Sequence, residues 1–170
     1  MSLWIVVVGA LGAFGFGWAT GSNDVGNAFG TSVGSGTLTL RQAIGIASIF
    51  EFVGAVVLGR VSTSTIAGGI ADIKTFKDPV VYAYGMMWTL IVGALWQIWA
   101  SYKGLNVSAT HSIIGGIMGF SIAYAGREGV QWITPDPKSF PPYKGVVPIV
   151  VSWLVSPVLT ALASAIIFSG

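Results

Sequence analysis

The chain contains no cysteine, which excludes disulfides, thiolate metal sites and a cysteine nucleophile. Charge is almost as scarce. Only 8% of the 170 residues are Asp, Glu, Lys or Arg, against about 25% in an ordinary soluble domain. A soluble fold with so few charges has no means of covering its surface with polar groups, whereas a protein dissolved in lipid needs none. The formal charge is only +2, which argues against a nucleic-acid partner. A basic segment is missing ahead of the N-terminal apolar stretch, and that stretch runs straight into a polar motif, so no cleavable signal is expected there. What is abundant is apolar: 54% of residues are hydrophobic, with 24 glycines and a mean hydropathy of +0.80. Glycine suits close helix packing in lipid, where small residues let backbones approach.

A helix needs about 20 largely apolar residues to cross a bilayer. Five segments approach that: Leu3 to about Thr20, Ala43 to Gly59 with Glu51 inside it, Val80 to Ser101, Val107 to Ala125, and Val146 to Phe168 with Pro157 as a kink. The expected fold class is an all-α membrane protein of about five transmembrane or re-entrant helical segments, in a single membrane domain over 1–170. Arg60 to Asp78 and the charged, proline-rich stretch Arg127 to Lys144 read as exposed connections. Trp88, Trp96, Trp99 and Tyr102 suit interface belts. If all five segments cross, Arg60, Lys74, Lys77, Arg127, Lys138 and Lys144 share one side, opposite Arg41 and Lys103, and the N-terminus lies inside. If Val107 to Ala125 is a re-entrant hairpin, the bias shrinks and reverses.

Two polar stretches sit where lipid-facing helix would otherwise be. The first, GSNDVGNAFGTSVGSG over 21–36, places Asn23, Asp24 and Asn27 within one helical turn. Its glycines suggest a helix break that frees backbone groups for binding. Unwound backbone at membrane depth survives only where it is buried in protein or lines a cavity. Intramembrane carboxylates are expensive and functional by default, so Asp24 is a candidate site residue. The alternative is glycine-mediated packing, with Asp24 as a helix cap.

The second stretch, Asn106-Val107-Ser108-Ala109-Thr110-His111-Ser112, opens an apolar helix with hydroxyls and an imidazole. Free N–H groups at a helix N-terminus, backed by the macrodipole, suit an anion. Ser108, Thr110, His111 and Ser112 are therefore candidates; the alternative is hydroxyls bonded back to the preceding turn and His111 satisfied by a neighbour. Two lipid-incompatible stretches are best buried against each other, so a helix starting at Val107 is expected to face the 21–36 segment. Glu51 is a candidate coupling residue, either paired inside the bundle or titrating during transport.

Gly30-Thr31-Ser32-Val33-Gly34 also matches G-x-S-x-G. That nucleophile elbow needs a strand before its serine, and the pattern before Ser32 is helical. An enzyme is not expected.

GSNDVGNAFGTSVGSG followed by LTLRQA resembles the first signature of the PiT family of inorganic phosphate transporters, usually GANDVANAFGTSVGS. NVSATHSIIGG is similar to its second signature, close to PVSTTHSIVGA, and PPYKGVVPIVVSWLVSPVL resembles the family's next span. The resemblance covers nearly the whole chain in matching order. Ser22 and Gly26 stand where the family has alanines, and Ala109 replaces a hydroxyl residue. The resemblance implies a plasma-membrane secondary transporter that carries phosphate with sodium, or with protons in some members, and needs no other cofactor. It also implies two inverted repeats, each with one copy of both signatures. This chain has one copy of each and reads as one half, completed by a C-terminal repeat or a second copy.

The residues themselves supply a reason for coupling. Neither stretch contains Lys or Arg, and Asp24 repels an anion. A bound cation would remove that conflict, with Asp24 and Asn23 as sodium ligands and the remaining candidates shared between phosphate and sodium. A channel needs a continuous polar path, but these polar residues cluster at one depth; a non-transporting subunit or receptor would not need both stretches.

Overall fold

A computed structural model describes residues 3–137 and 142–169. Lys138, counted above for orientation, lies outside them. Five helices dominate: α1 (Leu3–Gly34), α2 (Leu40–Gly69), α3 (Pro79–Tyr102), α4 (Ala109–Ala125) and α5 (Val146–Ser169). Between α4 and α5 a small antiparallel hairpin pairs β1 (Thr134–Pro135) with β2 (Tyr143–Lys144), and Lys144 forms an ion pair with Asp136 across it. Helices α1, α3, α5 and the Leu40–Arg60 part of α2 are each long and apolar enough to cross a membrane. Helix α4 has 17 residues, or about 25 Å at 1.5 Å per residue, which falls short of a hydrocarbon core of about 30 Å.

The helix ends follow from local chemistry. Thr39 caps α2 in a full capping box with Gln42, so two orphan amides are satisfied at once. Asp78 caps α3, and Pro79 takes its first turn, where a missing N–H costs nothing. Ser108 caps α4 by accepting from the His111 N–H. The expected spans are recovered at both ends of α3 and α5, while α1 and α2 run on past their expected ends.

The main correction concerns α1. The 21–36 segment does not break the helix, which continues unbroken to Gly34 and turns only at Gly36, where φ is +76°. The energies explain this. A glycine inside a helix costs about 1 kcal/mol, but each backbone group left unpaired in an apolar medium costs several kcal/mol. Helix therefore wins at every glycine. Unwound backbone occurs instead at 105–108, after Gly104 at φ +67°.

Helices α1 and α3 run parallel. Gly9 faces Met87, Gly12 faces Ile91, Gly15 faces Ala94 and Phe16 lies over Gly93. Helix α4 returns antiparallel along α3, with Phe120 against Gly85 and Thr89 against Gly116. Small residues thus let three backbones approach, as lipid requires. A Cβ at Gly116 would sit 2.6 Å from Thr89 Cγ2, whereas Gly119 has open space. Gly116→Leu is therefore expected to cost about 2 kcal/mol through overpacking, with Gly119→Leu near neutral. Thermal unfolding in detergent checks this; equal losses would contradict the packing.

Where α4, the α2–α3 loop and the start of α5 meet, Ile70, Phe76, Ile113, Ile114, Ile117, Val130 and Val146 form the buried core. Helix α5 buries only Val146 of its own residues, and most of α2 is equally exposed. Leu154, Ile166, Ile167 and Phe168 are open, as lipid-facing residues are.

Candidate functional site

Asn23 is the anchor of the site. It is only 7% exposed and spends most of its hydrogen-bonding capacity on the end of α3 and the α3–α4 connection. Its Nδ2 donates to Ser101 Oγ at 3.1 Å and to the Leu105 carbonyl at 3.0 Å. Its Oδ1 accepts from the Val107 N–H at 3.1 Å and from Asn27 Nδ2 at 3.3 Å. One side chain on α1 thus ties down exactly the stretch that has left helical geometry. That stretch needs it, because main-chain groups outside helix and sheet must find other partners.

This clamp brings the two polar stretches together. Asp24, Asn27, Asn106, Val107, Ser108, Ala109 and Thr110 line one cavity of about 410 Å³. Asn27 Nδ2 also reaches Asp24 Oδ1 at 3.2 Å, which orients the half-buried carboxylate. The helix facing α1 starts at Ala109, two residues after the expected Val107. Of the first N–H groups of α4, that of His111 is taken by Ser108 Oγ, while those of Ala109 and Thr110, two residues that line the cavity, have no intrahelical acceptor. A carboxylate and the start of a helix therefore share one pocket, with no Lys or Arg among its lining residues.

The other candidates fall elsewhere. His111 is exposed, and its ring stacks on Trp153 with centroids 3.6 Å apart; its Nδ1 lies 2.7 Å from Ser108 Oγ. The Ser112 hydroxyl donates back to the Ser108 carbonyl at 2.9 Å and lines a crevice between α3 and α4. Both therefore make the local contacts weighed as the alternative in the sequence. Glu51 is exposed on α2, at one end of a large apolar groove of about 1020 Å³ between α1 and α2, on the opposite side of α1 from Asn23. It has no hydrogen bond or ion pair among the described residues, so of the two roles weighed for it, pairing inside the bundle is not made among them. Ser32 lies within α1, with helix and not strand before it.

Sequence reasoning missed Ser101, the Leu105 carbonyl and the Val107 main chain. The available signal was Asn23 itself: an amide on an apolar helix face requires partners from another element. Ser108→Ala removes the α4 cap and is expected to cost about 1 kcal/mol, read from denaturation in detergent. A change below a few tenths would show that the cap bond contributes nothing.

Known proteins resemble the chain over nearly its whole length. The chain is 38% identical over 168 residues to sodium-dependent phosphate transporter 1 of Mus musculus, covering 98% of this chain and 23% of that protein. It is 41% identical over 167 residues to sodium-dependent phosphate transporter 2 of Felis catus, covering 98% of this chain and 24% of that one. A solved structure of a sodium-dependent phosphate transporter superposes with a TM-score of 0.84 at 38% identity, over 98% of this chain and 39% of that one. The chain thus spans well under half the length of these relatives. Residues 20–170 match the phosphate transporter family, and this integral membrane chain belongs to that family.

Proposed function

We propose that this chain forms part of a plasma-membrane secondary transporter that carries inorganic phosphate in symport with sodium. The observation that carries the reading is the shared cavity: the Asp24 carboxylate and the amide-rich N-terminus of α4 line the same space. Amides and a helix dipole attract an anion, worth 0.3–1 kcal/mol and at most about 2. Asp24 opposes it. Two unit negative charges about 5 Å apart repel by about 3 kcal/mol at an effective dielectric of about 20. The repulsion wins, so phosphate alone binds poorly. A sodium ion on Asp24 reverses the balance, and the two solutes then enter together.

Phosphate is met by the Ala109 and Thr110 amides with the Thr110 hydroxyl, and sodium by Asp24, which Asn27 orients while Ser108 caps α4. Asn23 acts by holding the α3–α4 connection in place. His111 and Ser112 support the cap of α4. The remaining part of the transporter is a second repeat or a second copy, and Glu51 faces the groove which that part would close. The family relationship, together with the helical setting of Ser32, supports transport without covalent catalysis.

The test is phosphate uptake by the full-length protein in liposomes. Uptake driven by an inward sodium gradient and absent with potassium is expected. Uptake driven by a proton gradient at equal rate without sodium would overturn the choice of co-ion, and no uptake under any gradient would overturn the function.

A further inference from the structure

One turn inside the site lies a layer that the cavity does not include. Gln97 on α3 is completely buried, at 0% exposure, and neither end of its amide has a hydrogen-bond partner. The Thr20 hydroxyl on α1 is also buried and unpartnered. The helix register sets them in one layer. Phe16 lies over Gly93 one turn to one side, and Asn23 bonds Ser101 one turn to the other. Because α1 and α3 are parallel, Thr20 and Gln97 share the layer between. Thr20 and Asp24 are also i and i+4 on α1, and so are neighbours on one face.

An unpartnered amide in an apolar interior costs several kcal/mol, and such groups in native proteins call for an unseen water, ion or functional role. We infer that Thr20 Oγ1 and Gln97 Oε1 are the inner ligands of the cation that Asp24 holds at the cavity mouth. The inference rests on the symport reading and names further residues for it. Its logic is one of inventory. A hard cation takes oxygen ligands. The Asn23 oxygen is saturated, the Ser22 hydroxyl is bonded to the Ala19 carbonyl, and Ser108 Oγ already serves His111. Among the described residues near Asp24, the buried side-chain oxygens left without a partner are those of Thr20 and Gln97. The other orphan, Ser121, lies toward the far end of α4. The ligands are neutral apart from Asp24, and no cluster of three His, Cys, Asp or Glu occurs among the described residues, which suits a monovalent ion. An ion that keeps a water in its shell meets both ends of the amide: Oε1 binds the ion and Nε2 donates to the water.

The test titrates sodium against choline on the full-length protein without phosphate, reading thermal stabilisation. Wild type is expected to be stabilised by sodium and not by potassium; no sodium effect at all would sink the symport reading, and this inference with it. Given that stabilisation, Gln97→Leu and the near-isosteric Thr20→Val are each expected to raise the half-saturating sodium concentration about tenfold, or about 1.4 kcal/mol. If sodium stabilises wild type and both variants keep its half-saturation, the layer holds only water and the inference is overturned, while the symport reading stands. Thr20→Val adds no volume to the interface, so it keeps the test decisive if Gln97→Leu fails to fold.

Discussion

Asn23→Leu is expected to destabilise the protein by at least about 3 kcal/mol, the largest single effect on the fold. The substitution fits an apolar helix by composition, which is why the expectation is sharp. It removes four hydrogen bonds, to Ser101 Oγ, the Leu105 carbonyl, the Val107 N–H and Asn27 Nδ2. The partners remain, and a buried donor or acceptor left unsatisfied costs about 1–3 kcal/mol. Two of them are main-chain groups in a segment with no helix of its own to return to. Asn23→Asp keeps the acceptor for Val107 and loses both donors, so an intermediate loss is expected. Chemical denaturation in detergent measures both. A loss under 1 kcal/mol for the leucine variant would show that the α3–α4 connection is held by something else.

Asp24→Asn is expected to have the largest effect on coupling. The two side chains have nearly the same shape, so packing barely changes. What changes is charge. The cation loses its only charged ligand in the cavity, and phosphate loses the repulsion of about 3 kcal/mol estimated at 5 Å. Sodium dependence is therefore expected to fall at least tenfold before phosphate binding itself suffers, and phosphate binding without sodium is expected to improve. Uptake at varied sodium, with phosphate binding measured in choline, separates the two effects. A variant with wild-type sodium dependence would show that Asp24 is not the cation ligand.

The parts of the structure that the sequence made legible are those dictated by the solvent. Lipid requires long apolar helices, so α3 and α5 emerge within a residue or two of Val80–Ser101 and Val146–Phe168. Asp24, Asn27, Ser108 and Thr110 were visible for the converse reason: polar groups in such helices need a purpose. Less legible was anything that depends on register between distant segments. Ser101 is 78 positions from Asn23, and nothing local marks that serine as its partner. The glycines of 21–36 were misleading because propensity argues for a break, while unpaired backbone in lipid is costlier than any glycine. Glu51 lines an open groove between α1 and α2 and makes no hydrogen bond or ion pair among the described residues, so nothing in its surroundings there sets its role. Gln97 obeys the same rule that revealed Asp24, but a neutral amide among tryptophans draws less notice than a charge.

The most direct test of the central claim, that one cavity uses a cation on Asp24 to admit an anion at the α4 N-terminus, is equilibrium phosphate binding to the full-length protein. Binding would be measured by calorimetry in sodium and in choline at equal ionic strength. Sodium is expected to tighten phosphate binding by about a hundredfold, and phosphate must then tighten sodium binding by the same factor, because coupling between sites is reciprocal. Equal phosphate affinity in sodium and choline would contradict the account.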